Sequence, residues 1–190
     1  VGYETGNLEF KGEIVIKGSV QKGYNVKASG DVIVFGHVDG ATIAAGGNAI
    51  IGEGILGRKT MIVTRGDIRA QIVSESKLRA GGDILLTAHG LDATLRADGA
   101  IWVGIPHGDV EGSLVGGRAW SRGGIEVVIA GGRNASTELT CGVDPEQVRN
   151  VDRLNRKIEE GNKLIARQLS RFQLTTLDVA AIQKRLAAST

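Results

Sequence analysis

The chain is 190 residues long and carries 29 glycines against two prolines, which excludes Pro-rich disorder and collagen-like sequence. Hydrophobic residues make up 42% but aromatics only 4%, so any core must be assembled from Val, Ile, Leu and Ala. The net charge of +2 points to no partner class, and no apolar run approaches the roughly 18 residues of a membrane span.

The chain opens on Val1, without a leading Met or a signal peptide, and reads as an excised piece of a longer protein. Its single cysteine, Cys141, forbids an intramolecular disulfide and fits a reducing, cytoplasmic setting. A phrase then recurs: an aliphatic, a small residue, a glycine pair or near-pair, a short polar residue and alternating aliphatics. It stands at Val26–Val34 (VKASGDVIV), Ile43–Ile51 (IAAGGNAII), Leu78–Leu86 (LRAGGDILL) and Leu95–Val103 (LRADGAIWV). The marking glycines are Gly12, Gly30, Gly47, Gly66, Gly82, Gly99 and Gly117, spaced 16 to 19 apart.

A finer period of six runs inside this unit. Positions 14, 20, 26, 32, 38, 44, 50, 56, 62 and 68 are all aliphatic, and the ladder slips at Ser74 before resuming at Leu78 and Ile84. Three steps of six describe a triangular coil of three short strands, each alternating sides. Residues 1–143 are therefore predicted to form a parallel β-helix, a β-solenoid of about 17–18 residues per coil, with about seven stacked coils. Glycines are expected at the corners, where positive φ is needed. Asp31, Asn48, Asp67 and Asp83 follow them as short side chains able to bond turn backbone.

The composition shifts at Cys141-Gly142-Val143. Asp144-Pro145-Glu146-Gln147 is a helix start, with Asp at the N-cap, Pro at N1 and Gln in capping-box position. A heptad follows, with Val151, Ile158, Ile165 and Phe172 at one core position, and Leu154, Gly161 and Gln168 at the other. A second helix, capped at Thr175 or Thr176, has Val179, Ile182 and Leu186 as its apolar positions. Residues 144–190 are thus expected to form an antiparallel, coiled-coil hairpin that is cut short. From Pro145 onward the tail holds nine Lys/Arg and five Asp/Glu, while the body is mildly acidic.

Each candidate site also has a plainer role. Glycine pairs in every coil, with no helix behind them, are corners rather than phosphate loops. The Asx column lacks the nine-residue spacing of calcium-binding repeats. His37, His89 and His107 carry no metal spacing, and read as solvated corner or loop residues. Cys141 reads as a packed small hydrophobe. Trp102, between Ile101 and Val103, should point outward and is a candidate interface residue. Arg149, Arg153 and Arg156 are either a solvated face or a site for an acidic protein; the small excess and missing aromatics speak against nucleic acid. No catalytic residue, metal or cofactor is expected.

Several of these segments resemble one family. Thr5–Val20 (TGNLEFKGEIVIKGSV) resembles the start of the repeat domain of flagellar assembly protein A (FapA). Ala45-Gly46-Gly47-Asn48, Ala80-Gly81-Gly82-Asp83 and Leu114–Ala119 look like its repeats, and Gly142–Glu146 like its entry into the helical region. Gly30–Lys59 is similar, more weakly, to the β-helical domain of the septum inhibitor MinC. The resemblance implies a right-handed coil, which period six alone does not. Ser29 and Asp98 depart from the glycine pair, and Ala88-His89-Gly90 and Ile105-Pro106-His107-Gly108 read as unmatched loops. By resemblance, the function is non-catalytic scaffolding in bacterial flagellar assembly or placement, with other proteins or further copies of the chain as partners. Alternatives are a bactofilin-like polymer, a MinC-like division regulator and, more distantly, a hexapeptide-type acyltransferase using a loop His as general base.

Overall fold

The computed structural model describes residues 1–104, 112–142 and 145–171. The Asp144 N-cap, His107, Phe172 and the second helix with Val179, Ile182 and Leu186 lie outside the described residues, as does the side chain of Gln147. The chain divides into two compact units, Val1–Asp144 and Pro145–Thr190.

The first unit is a parallel β-solenoid with three faces. Its first face stacks eight strands: Leu8–Phe10, Asn25–Ala28, Thr42–Ala45, Met61–Thr64, Lys77–Ala80, Thr94–Ala97, Gly117–Ser121 and Thr137–Cys141. Eight stacked strands mean seven coil-to-coil steps, about 34 Å at ~4.8 Å each. The second face runs through Ile14–Ile16, Val32–Val34, Ala49–Ile51, the first halves of Ile68–Ser74 and Ile84–Leu91, then Ala100–Val103 and Gly124–Val127. The third holds Val38–Asp39, Gly54–Leu56, the second halves of those two long strands, Ser113–Val115 and Ile129–Ala130. All strand pairs are parallel.

The core is a set of aliphatic columns. Val26, Ile43, Ile62, Leu78 and Leu95 stack from the first face; Val32, Ala49, Ile68, Ile84 and Ile101 from the second; Val20, Val38, Ile55, Val73 and Leu114 from the third. Each buried Val, Ile or Leu contributes about 1.5–3 kcal/mol, and each is shared between neighbouring coils.

Two expectations change. The six-step ladder is buried at Ile14, Val20, Val26, Val32 and Val38 and again at Ile62 and Ile68, but Ala44, Ile50 and Leu56 turn outward. The corner at Gly40 shortens the step from Val38 to Ile43 to five, and the corner at Gly57 lengthens the step from Ile55 to Ile62 to seven. A one-residue shortening flips every following side chain until it is repaid, so Ile43, Ala49, Ile51 and Ile55 fill the core instead. Ala88-His89-Gly90 is not a loop: it belongs to the strand Ile84–Leu91, which turns the corner from the second face to the third without a break.

The glycine corners also work differently. Of the seven marking glycines only Gly12 and Gly117 have positive φ. Gly30, Gly47, Gly66, Gly82 and Gly99 are required by the stacking itself. A Cβ on Gly47, Gly66, Gly82 or Gly99 would run into the side-chain oxygen of Asp31, Asn48, Asp67 or Asp83 in the coil before. Those oxygens are engaged: Asp31 Oδ1 accepts from Asn48 N–H (2.7 Å), Asn48 Oδ1 from Asp67 N–H (2.8 Å), Asp67 Oδ1 from Asp83 N–H (2.9 Å) and Asp83 Oδ1 from Ala100 N–H (2.8 Å). The Asx side chains therefore tie coil to coil rather than capping their own turns. Beside them each corner glycine N–H donates to the glycine carbonyl one coil earlier, from Gly30 to Gly12 onward, at 2.9–3.0 Å.

After Gly99 this column continues at Gly123, whose N–H donates to the Gly99 carbonyl at 2.8 Å. Gly117 starts a first-face strand instead, stacked near Ala93, because the coil between holds extra residues. Left-handed backbone is concentrated at the corner from the third face to the first, at Gly40, Gly57, Glu75, Asp92 and Gly116.

The second unit is described as one α-helix, Pro145–Arg171.

Val32→Asp places a carboxylate without a partner in the core and is expected to abolish folding, whereas Ile50→Asp should fold and melt near the parent. Circular dichroism melts of the two variants check the register. Gly82→Ala should cost about 2–3 kcal/mol, with Asn no milder, since space rather than φ is limiting. Combining it with Asp67→Ala should cost less than the sum, as read by denaturant midpoints.

Candidate protein-interaction surfaces

On each face the residues that alternate with the core form rows along the coils. The first-face row reads Glu9, Lys27, Ala44, Val63, Arg79, Arg96 and Trp120. It is largely charged, and Lys27 meets Glu9 at 2.7 Å. Trp120 is on the outward side of this row yet only 7% exposed, with the Arg96 guanidinium 4.7 Å above its ring. Such a contact contributes on the order of 0.5–1 kcal/mol. Nothing in the local alternation signals that burial; the spacing of Arg96 and Trp120 by one lengthened coil is the only trace.

The second-face row is apolar: Val15, Ile33, Ile50, Arg69, Leu85, Trp102 and Glu126. Val15 is half exposed, Ile50 is 37% exposed, and Trp102 is partly exposed between buried Ile101 and Val103. Trp102 borders a recess of about 220 Å³ shared with Gly104, Glu126 and Val128. On the third face Ile72, His89, Ser113 and Ile129 form a mixed row.

His89 sits in the third-face row, and His37 lies just before the strand Val38–Asp39. His89 Nδ1 is 2.9 Å from Ser113 Oγ one coil on. His37 Nδ1 is 3.1 Å from Ser19 Oγ and 3.5 Å from Glu53 in the flanking coils. Ser, His and Glu thus stack in three successive coils, but both contacts use the same ring nitrogen. A catalytic relay needs the acid on one nitrogen and the nucleophile on the other. Among the described residues no three His, Cys, Asp or Glu side chains are placed to hold a metal. Arg58, bonded to Glu75 at 3.1 Å, is held more firmly protonated by that hydrogen bond and by the carboxylate charge.

Cys141 is exposed, not packed. It pairs in register with buried Ser121, but it ends the strand Thr137–Cys141, and among the described residues no further strand of that face stacks on it.

On the helix, Arg149, Arg153 and Arg156 recur at i, i+4 and i+7 and form one exposed basic face. Val151, Leu154, Ile158 and Ile165 line the opposite side and are 42–58% exposed. Among the described residues no helix is long and apolar enough to cross a membrane.

The family model for the Flagellar Assembly Protein A beta solenoid domain matches residues 1–186. The chain belongs to this family. No curated protein and no solved structure matches it. The FapA match runs through the solenoid coils and on past the helix Pro145–Arg171. The FapA corner glycines and Asx ladder hold the rod together, while Trp102, Arg149, Arg153 and Arg156 are exposed or partly exposed side chains with no such task.

Single-tryptophan variants test the two environments. Trp102→Phe, which keeps Trp120, should be quenched by iodide several-fold less than Trp120→Phe, which keeps Trp102.

Proposed function

We propose that this FapA-family chain is a non-catalytic, cytoplasmic scaffold that acts in bacterial flagellar assembly or placement by binding other proteins. The observation that carries this reading is the match of residues 1–186 to a flagellar assembly family. The surfaces support it: rigid rows of side chains on the rod, and a helix whose basic face is free of core duty.

In this reading the coil is right-handed, as the family resemblance implies. Residues 144–190 form the hairpin, whose second helix covers Val151, Leu154, Ile158 and Ile165. The basic face then recruits an acidic protein partner, through long-range attraction more than through stability.

Arg149, Arg153 and Arg156 changed together to Glu should leave the melting temperature nearly unchanged, because exposed charges contribute little to folding. In cells lacking the gene, the wild-type protein should restore flagella and the triple variant should not, at equal protein levels. Partner capture by the triple variant should be weakened most at low salt, where screening is least. Full restoration of flagella by the triple variant would remove the basic face from function. Normal flagella in the deletion itself would remove the flagellar role.

A further inference from the structure

The second face carries an apolar row that the core does not use. Five of its seven members, Val15, Ile33, Ile50, Leu85 and Trp102, are aliphatic or aromatic. The first-face row is interrupted by Glu9, Lys27, Arg79 and Arg96, whose desolvation opposes burial. An apolar row broken by Arg69 alone before it ends at Glu126, along a flat parallel sheet, marks an interface rather than a solvated surface.

We infer that the occupant of the second face is a second copy of this chain, packed face to face with the two rods antiparallel. Three observations select it. The first is size. The second face stacks seven strands, so it is roughly 29 Å tall, and at about 20 Å wide, six residues at ~3.3 Å each, it presents ~580 Å². That is the size of a weak, reversible interface, below about 600 Å² per partner, and a flat sheet is its own complement in shape.

The second is symmetry of chemistry. Arg69 is the fourth of seven positions in the row, with two apolar residues directly on either side. A two-fold axis through Arg69 sets Ile50 against Leu85 of the second copy and Ile33 against Trp102 of the second copy. The recess bordered by Trp102, Gly104 and Val128 receives that Ile33.

The third is charge. In the antiparallel arrangement only Arg69 meets its own counterpart, and each guanidinium has the Asp67 carboxylate of its own chain at 3.9 Å. Glu126 falls at the rim opposite Val15. With the rods parallel, Arg69 and Glu126 would both face their counterparts, and like charges set against each other disfavour that arrangement.

Sedimentation velocity of the 190-residue chain should show a monomer–dimer equilibrium, with dimer dominant on the order of 100 µM. Ile50→Glu and Trp102→Glu point away from the core, so each should melt like the parent and sediment as a monomer. Register is read by cross-linking in a Cys141→Ser background with a short bis-maleimide. Ile50→Cys mixed with Leu85→Cys should link between chains, and either protein alone should not. A wild-type monomer at that concentration overturns the proposal. So does a dimer that persists in Ile50→Glu. Ile50→Cys linking to itself overturns the antiparallel arrangement, and this test stands even if a Glu variant fails to fold.

Discussion

Coils can hydrogen-bond around their whole perimeter only if their corners approach as closely as their strands, at one β-sheet spacing of ~4.8 Å. Strands reach that spacing on their own, but a corner with a Cβ in the wrong place cannot. Gly47, Gly66, Gly82 and Gly99 leave that space, and the Asx oxygen of the previous coil occupies it. The same close approach lets each glycine N–H reach the carbonyl below it. The aliphatic columns come into contact only because these corners let the coils close. Glycine and Asx are thus two halves of one joint, which is why the pair recurs as a unit in the chain.

Much of this was legible from residue spacing. Alternation within Ile14-Val15-Ile16 and Val32-Ile33-Val34 assigns inside and outside correctly, and it places Trp102 outward. Seven of the ten positions found by steps of six are core residues. The steps failed at Ala44, Ile50 and Leu56 because the length of a corner leaves no mark in the apolar pattern: five, six and seven residues all look like a turn. The glycines were found but given the wrong cause, since a sequence shows that a side chain is missing without showing whether φ or space forbids it. The left-handed corner went unseen because Glu75 and Asp92 interrupt its glycines. Gly117 was placed in the wrong column for a related reason: its 18-residue distance from Gly99 matches one coil, although the coil itself is longer.

The interaction surfaces were less legible than the rod. Ile33, Ile50, Leu85 and Trp102 share the eighth position of the recurring phrase, and the row's members lie 16 to 19 residues apart once Arg69 is counted, but only stacked coils turn that column into a surface. Their common face follows from register, which the shortened corner at Gly40 had hidden. Burial of Trp120 under Arg96 likewise needs the lengthened coil to bring the two together. The basic face of the helix was readable at once, because i, i+4 and i+7 spacing needs no tertiary information.

The direction of the hydrogen bonds has a mechanical consequence. In this unit every ladder bond lies along the rod, while the chain itself winds around it. A load applied to the ends of the polypeptide therefore does not shear the strands against one another. It peels the terminal coil away one bond at a time, and each coil of about 17 residues released lengthens the chain by roughly 60 Å. Compression meets the opposite response, because the glycine corners are already in van der Waals contact and cannot close further. Such a body behaves as a strut when pushed and as a spool when its thread is drawn.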